Sequence, residues 1–374
     1  MSAHVLVLGG QGVFGARIVR QLARDPGIAV TVASRGAKTH FTQDGIRVEA
    51  VAVDVSAPGG IDRLLERAPA VVVDAVGPFQ SRDLGLPTRC AEAGIHYVDI
   101  ADDRARVAGI GQLDALARSK DVLIVSGAST VPAISTAMVE ALVPPTAASM
   151  GEIISIDVGI SPGNRAPRGL ATVRGILSYC GRQIPAITGE ATEYGWGGLT
   201  RFDYPPPVGA RWMSHVDTPE RALWASRFPA LERASIRAGL ELGLLHLGLS
   251  MLSRGVRAGV LPGLDRFAAP MLWVADRLES FGTDTGAMHV RVERRGSTDA
   301  RDARILHTGL LIAERADGPQ IPATPAVVVV KKLLGLGGHA PLTLRGAMPC
   351  IGMLTLDELL HELRGYAIRY EGGR

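Results

Sequence analysis

The chain has 374 residues, enough for two domains. It is 47% hydrophobic and 21% charged, the profile of a folded globular protein, which excludes a disordered or fibrous chain. Its 40 basic residues nearly balance 37 acidic ones, so a net charge of +3 gives no basis for nucleic-acid binding.

The first elements are the most informative. Val5, Leu6, Val7 and Leu8 read as a buried parallel strand. Gly10-x-Gly12-x-x-Gly15 follows at once, and then an apolar-periodic helix over 16–24 carrying Ile18, Val19 and Leu22. In this strand–loop–helix context the glycines predict a dinucleotide site. The first makes the turn, the second admits a pyrophosphate to the backbone, and the third lets helix and strand pack closely. Further strands are predicted over 28–34, 48–54, 70–76, 96–100 and 122–126, alternating with helices over 61–67, 86–93 and 109–119. Such alternation predicts an α/β doubly wound parallel sheet, whose ligands bind at the carboxyl ends of the strands.

Those strand ends carry the candidate residues. The second strand ends in Ser34-Arg35, with Lys38 nearby, where an NAD site usually carries an acid. A guanidinium there binds a 2′-phosphate that an acid would repel, so NADP(H) is expected over NAD(H). Asp54 and Val55 follow the third strand, where Asp54 reads equally as an adenine contact or a turn residue. Val76-Gly77-Pro78-Phe79 makes a rigid loop where the nicotinamide half should lie. Next, His96-Tyr97-Val98-Asp99 leads to Ala101-Asp102-Asp103; Asp99 and Asp102 are the candidate proton donors, and Asp102 or Asp103 equally suits a helix cap. His96 reads as a hydrogen-bonded structural residue. Tyr97, Ser129 and Thr130 are candidate substrate contacts, the latter two before a Val-Pro helix start.

Beyond about residue 130 the pattern becomes α+β. A helix is expected over 134–142, a half-exposed strand over 152–160, and a helix over 171–179 preceded by Arg165 and Arg168 and containing Arg174. Arg168 is a candidate carboxylate clamp, although solvated surface arginines are the better reading in so arginine-rich a chain. An aromatic, proline-rich loop spans 194–212, helical segments follow, and strands are expected over 287–293 and 305–313, with terminal helices over 323–334 and 356–363. The helix over 238–254 has a wide apolar sector, which reads as core or dimer interface, or as a peripheral membrane contact given Arg237, Arg254 and Arg257.

Cys90, Cys180 and Cys350 lie too far apart for a disulfide framework or a metal motif, so no metal is expected, and a reducing cytoplasmic compartment fits. Lysine occurs only at 38, 120, 331 and 332, leaving little scope for lysine chemistry. Neither a signal peptide nor a transmembrane segment is expected.

Taken in series, Gly9-Gly-x-Gly-x-x-Gly15, Ala33-Ser-Arg35, Val76-Gly-Pro-Phe79, the Cys90 helix, His96-Tyr-Val-Asp99 and the 126–134 segment resemble the saccharopine dehydrogenase/reductase-like family of NADP-binding oxidoreductases. The C-terminal stretches at 286–290, 321–326 and 346–352 are also similar to bacterial members. The resemblance implies a Rossmann domain over 1–133 and an α+β substrate and dimerisation domain over 134–374, whose C-terminal helix packs back on the first. It implies a homodimer that transfers hydride to or from a small-molecule C=N or C=O group. By match, Gly10, Gly12, Val13, Phe14 and Gly15 line the pyrophosphate, Ser34 and Arg35 take the 2′-phosphate, Asp54 and Val55 meet adenine, and Val76, Gly77 and Pro78 lie at the nicotinamide. Two departures argue against saccharopine itself as substrate: Ala101-Asp102 stands where the family often has Gly-Glu, and Thr130-Val-Pro-Ala where it has an Asp-Pro-Gly type loop. A short-chain reductase would need a tyrosine with lysine four residues on, which this chain lacks. A non-catalytic NADPH-binding sensor or scaffold is the alternative of a different class.

Overall fold

A computed structural model describes residues 2–37, 40–43, 45–144, 152–187, 192–296 and 304–373. The chain forms two compact units. The first comprises Met1–Ile134 with Pro319–Glu362, and the second Ser135–Gly318 with Leu363–Arg374. The second unit is therefore not all of 134–374, because a 44-residue return segment belongs to the first.

In the first unit the strands are β1 (Ala3–Leu8), β2 (Ile28–Ser34), β3 (His40–Gln43), β4 (Ile46–Ala52), β5 (Val71–Asp74), β6 (His96–Asp99) and β7 (Leu123–Ser126). The helices between them are α1 (Gly15–Ala23), α2 (Gly60–Leu65), α3 (Gly85–Glu92), α4 (Arg104–Gly109) and α5 (Asp114–Ser119). The sheet order is Gly346–Pro349, β7, β6, β5, β1, β2, β4, β3, with every pairing parallel except β3 with β4. The order reverses between β5 and β1, which makes the crevice beyond their carboxyl ends the place where this architecture binds ligands. Residues Val5–Leu8 and Val71–Val73 are wholly buried, as expected for parallel strands covered on both faces.

Two edge strands escape the sequence reading. β3 is four residues long, and Gly346–Pro349 is bounded by a glycine and a proline. Proline is tolerated there because this strand is the edge and needs donors on one side only. The expected 109–119 helix is instead α4, a 3₁₀ turn at Ile110–Leu113, and α5. In the return segment, helix Gln320–Leu334 lies beside α1, where Gln21 Nε2 donates to Gln320 Oε1 at 3.1 Å. Two of the four lysines are consumed here. Lys331 pairs with Glu362 at 2.8 Å and Lys332 with Glu358 at 2.6 Å, both largely buried.

The second unit is built on a seven-stranded mixed sheet in the order Thr200–Asp203, Ala210–His215, Arg233–Ala238, Ile153–Ser161, Gly286–Arg295, Arg304–Ala313, Ile368–Gly373. The expected 194–212 loop thus contributes two strands, and its aromatic residues close down on the sheet. Phe202 stacks on the His289 imidazole at 3.6 Å, and the Tyr204 hydroxyl lies 2.8 Å from His289 Nδ1. Strand Arg233–Ala238 falls where helix was expected. It has only Ile236 as a large apolar residue, too little for a period to be read.

Helix Gly243–Arg257 presents apolar residues on both its inward and its outward side. Its buried side is His246, Leu249, Ser250 and Ser253, while Leu244, Leu247, Met251 and Leu252 face outward. The wide apolar sector is therefore divided: Leu249 joins the core, while most of its leucines and Met251 are exposed. Inward, Leu240 N–H donates to His246 Nδ1 at 3.2 Å, so Nε2 carries the hydrogen and donates to Ser214 Oγ at 3.0 Å. Burial pushes the His246 pKa down to about 4. A neutral histidine of this kind contributes stability that is complete above the unfolded value near 6.5 and is lost as pH falls toward 4. His246→Gln cannot be protonated. The stability advantage of wild type over this variant is expected to shrink by about 2–3 kcal/mol between pH 7.5 and pH 4.5 in urea unfolding. A pH-independent difference would exclude this linkage.

Candidate cofactor site

The glycine loop sits at the reversal point of the first sheet. Gly9 has φ +74°, and a Cβ there would meet Val76 Cγ2 at 2.7 Å, so the β1 loop and the β5 loop touch. Gly9 N–H donates to Ala33 O and Ala75 N–H to Leu8 O, locking both loops to their neighbouring strands. At Gly15 a Cβ would lie 2.2 Å from Gly9 O and 2.9 Å from the Gly10 Cα. Backbone occupies that space, which is why α1 can begin this close to the strand. At Gly12 a Cβ would meet only Gly9 O, at 3.2 Å, leaving the outer side of the loop open. No side chain caps α1. Its first-turn amides, at Val13, Phe14 and Gly15, have no preceding turn to bond, and with the helix dipole they favour an anion.

At the end of β2, Ser34 Oγ donates to Gln11 Oε1 at 2.8 Å, so Gln11 spans from the glycine loop to this corner. Gln11 occupies a variable position of the glycine pattern, which carries no signal in sequence. Arg35 is exposed on the adjoining turn. Lys38 lies outside the described residues. Asp54 Oδ1 accepts the Ser56 N–H at 2.9 Å, while Gly60 packs against Asp54 O, so this aspartate shapes the turn into α2. Val55 is half-buried beside it.

The β5 and β6 ends form a buried polar network. Asp74 Oδ1 accepts Val76 N–H at 3.0 Å, and its Oδ2 pairs with Arg82 at 2.7 Å. Arg82 also donates to Val76 O at 2.7 Å, which pins the loop carrying the cis Gly77-Pro78 bond. Burial and neighbouring Asp99 raise the Asp74 pKa, and Arg82 opposes them. Asp99 Oδ1 accepts from Ser126 Oγ (2.7 Å), Gly127 N (2.9 Å) and Ala101 N (3.1 Å). Its Oδ2 accepts from Arg106 Nε and the Tyr97 hydroxyl, both at 3.1 Å. Tyr97 is fully buried and receives an Arg106 N–H at 2.9 Å. Asp99, expected as a proton donor, and Tyr97, expected as a substrate contact, are therefore enclosed framework groups: every lone pair of Asp99 has a donor. Sequence could not reveal this, because the partners come from β7 and α4.

Asp102 differs from Asp99. It reaches solvent, and Gln80 Nε2 donates to its Oδ1 at 3.2 Å. Crowding by surrounding protein raises its carboxyl above the usual range, opposed by its hydrogen bonds. The α4 cap is Asp103, whose Oδ1 accepts Arg106 N–H at 2.8 Å. Ser129 Oγ donates to Pro322 O at 3.2 Å, and Thr130 opens a π turn containing the cis Val131-Pro132 bond. His96 Nδ1 accepts Leu123 N–H at 2.9 Å, a structural role. In the second unit, Arg168 bonds the Asn164 carbonyl and lies 4.0 Å from Asp276, which ties it into the wall of that unit. Among the described residues, no group of His, Cys, Asp or Glu side chains is placed to hold a metal, and no helix is long and apolar enough to cross a membrane.

Residues 5–125 match the saccharopine dehydrogenase NADP binding domain family. That match makes the N-terminal third of the chain similar to the NADP-binding domain of saccharopine dehydrogenases. The fold agrees over its whole length. Saccharopine dehydrogenase (L-Glu forming) from Saccharomyces cerevisiae is similar with a TM-score of 0.65 at 13% identity, covering 100% of both chains. Homospermidine synthase from Legionella pneumophila, solved with NAD, gives 0.57 at 12% identity, covering 100% of this chain and 91% of that one. An engineered D-amino acid dehydrogenase bound to NADP+ gives 0.50 at 15% identity, covering 96% and 99%. No curated protein sequence matches the chain. The saccharopine dehydrogenase-like domain thus supports a nicotinamide-cofactor-dependent oxidoreductase.

Proposed function

We propose that the chain is an NADP(H)-dependent oxidoreductase acting on a C=N or C=O group of a small molecule. The observation that carries the cofactor choice is the β2 corner: Ser34 is held by Gln11, Arg35 is exposed beside it, and the strand ends in Ser-Arg in place of an acid that would repel a 2′-phosphate. The open face of Gly12, the close packing at Gly15 and the uncapped start of α1 fit a pyrophosphate over Gly10, Gly12, Val13, Phe14 and Gly15. Asp54 and Val55 border the adenine side, and Val76, Gly77 and Pro78 the nicotinamide side. When bound, the nicotinamide supplies or accepts hydride at C4; the chain's own part is to orient the reacting carbon and exclude water. Asp102 is the candidate proton donor, since it is exposed at the strand end whereas Asp99 is saturated. Thr130 and Ser129 border the same strand ends as candidate substrate contacts.

Loss of one charged hydrogen-bonding partner is worth about 1.5–3 kcal/mol. Arg35→Ala is therefore expected to weaken NADPH binding roughly 10- to 100-fold in fluorescence titration while leaving NADH affinity unchanged. Equal wild-type affinities for the two cofactors would overturn the NADP(H) assignment. NADPH oxidation against a panel of imines and keto acids tests the activity. Tight binding with no turnover of any member favours the sensor reading, which the enclosure of Asp99 and Tyr97 also suits.

A further inference from the structure

Among the described residues, ten of the twelve exposed large apolar side chains fall between Leu170 and Phe281 of the second unit; Leu306 and Leu344 lie elsewhere. Leu244 and Met251 on helix Gly243–Arg257 are 79% and 67% exposed. Trp273 on helix Ala268–Arg277 is 58% exposed and Phe281, just beyond it, 75%. Leu247, Leu252 and Val274 add to the same two helices.

The two helices share one hydrophobic core and are tied at both ends. Gly255 packs on Leu261 where the chain turns at one end. At the other, Glu241 accepts Thr283 N–H at 2.8 Å and Asn164 Nδ2 donates to Leu278 O at 2.7 Å. Helix Leu170–Ser178 shares their core through Leu177, Leu249, Leu264 and Ala268. The inward side of helix Gly243–Arg257 is already filled, by Leu249 in that core and by polar contacts of His246 to Ser214 and of Ser253 Oγ to Gly195 O at 2.8 Å.

The same layer concentrates positive charge. Residues 164–187 and 243–281 hold eight arginines and three acids, against a net +3 for the whole chain. Arg254 and Arg257 lie exposed in the last turn of the first helix, and the Arg277 guanidinium sits 4.7 Å above the exposed Trp273 ring. Leucine, phenylalanine and tryptophan facing out under an arginine fringe match a surface that lies in the headgroup region of an anionic bilayer.

We propose that this helical pair of the second unit docks on anionic lipid membranes. The test uses the full chain and vesicles of equal parts phosphatidylglycerol and phosphatidylcholine, compared with pure phosphatidylcholine, in 50 mM salt. Sedimentation with the anionic vesicles is expected, weakened at least tenfold in Leu244→Asp/Met251→Asp and in Arg254→Glu/Arg257→Glu. Both pairs are exposed, so circular dichroism should stay that of wild type. Bromine-labelled lipid should quench tryptophan fluorescence, and Trp273→Phe in a Trp212→Phe background should abolish the quenching, since the two remaining tryptophans, Trp196 and Trp224, are buried. Protein that remains in the supernatant, or sedimentation unaffected by either double variant, would overturn the proposal. So would a concentration-dependent dimer broken by Leu244→Asp/Met251→Asp, which would assign the face to a second copy.

Discussion

Replacing Arg106 with leucine is expected to destabilise the protein by about 3–5 kcal/mol, the cost of removing one member of a buried charge network. Arg106 serves four acceptors and an aromatic ring. It donates to Asp99 Oδ2 (3.1 Å), to the Tyr97 hydroxyl (2.9 Å) and to the carbonyls of Arg82 (3.3 Å) and Asp83 (2.6 Å), and its guanidinium lies over the Phe79 ring at 5.5 Å. Its side chain is almost wholly buried, as is the Asp99 carboxylate. Without it, two buried carboxylates, Asp74 and Asp99, face each other across Tyr97 with Arg82 as the remaining cation. Arg106→Lys keeps the charge but loses the fork, and an intermediate loss is expected. The network also holds the 77–79 loop, so the leucine variant should bind NADPH more weakly even where it remains folded. An unfolding free energy from urea titration within about 1 kcal/mol of wild type would show that these groups are solvated rather than locked.

The sheet was legible in the sequence wherever a strand is buried on both faces. Val5–Leu8 and Val71–Val73 are unbroken apolar runs, and the glycine loop between strand and helix has few other uses. Edges were not legible, because Gly346–Pro349 is made a strand by pairing with β7 and not by its own propensity. Helix Gly243–Arg257 shows a different limit. Periodicity revealed two unlike faces but not which one turns inward; that is decided by partners such as Ser214 and Gly195, far away in sequence. Asp99 teaches the same lesson at the site. A carboxylate at a strand end reads as chemistry until Ser126, Gly127 and Arg106 are seen to fill its lone pairs. Gln11 and Ser34 are a pair only because β1 and β2 are neighbours in register, Leu8 opposite Ala33.

Gly15→Ala is the smallest change expected to separate fold from cofactor binding. The added carbon would be placed 2.2 Å from Gly9 O, 2.8 Å from the Gly9 carbonyl carbon and 2.9 Å from Gly10 Cα, all backbone atoms that no rotamer change can clear. Relief requires α1 to move off the loop by about an ångström, an overpacking strain of roughly 1–3 kcal/mol. The sheet itself, with β1 held by β2 and β5, can survive that cost. The loop cannot keep its geometry, because the first-turn amides and the Gly9 turn are joined through this one contact. NADPH affinity is therefore expected to fall at least tenfold with a thermal midpoint lowered by only a few degrees, measured by titration and calorimetry on one preparation. Gly12→Ala makes the complementary case. Its Cβ would stand 3.2 Å from Gly9 O and otherwise in open space, so the fold should be untouched while the added methyl occupies the approach to a pyrophosphate. Wild-type NADPH affinity in both variants would mean that the loop is only a tight strand-to-helix turn.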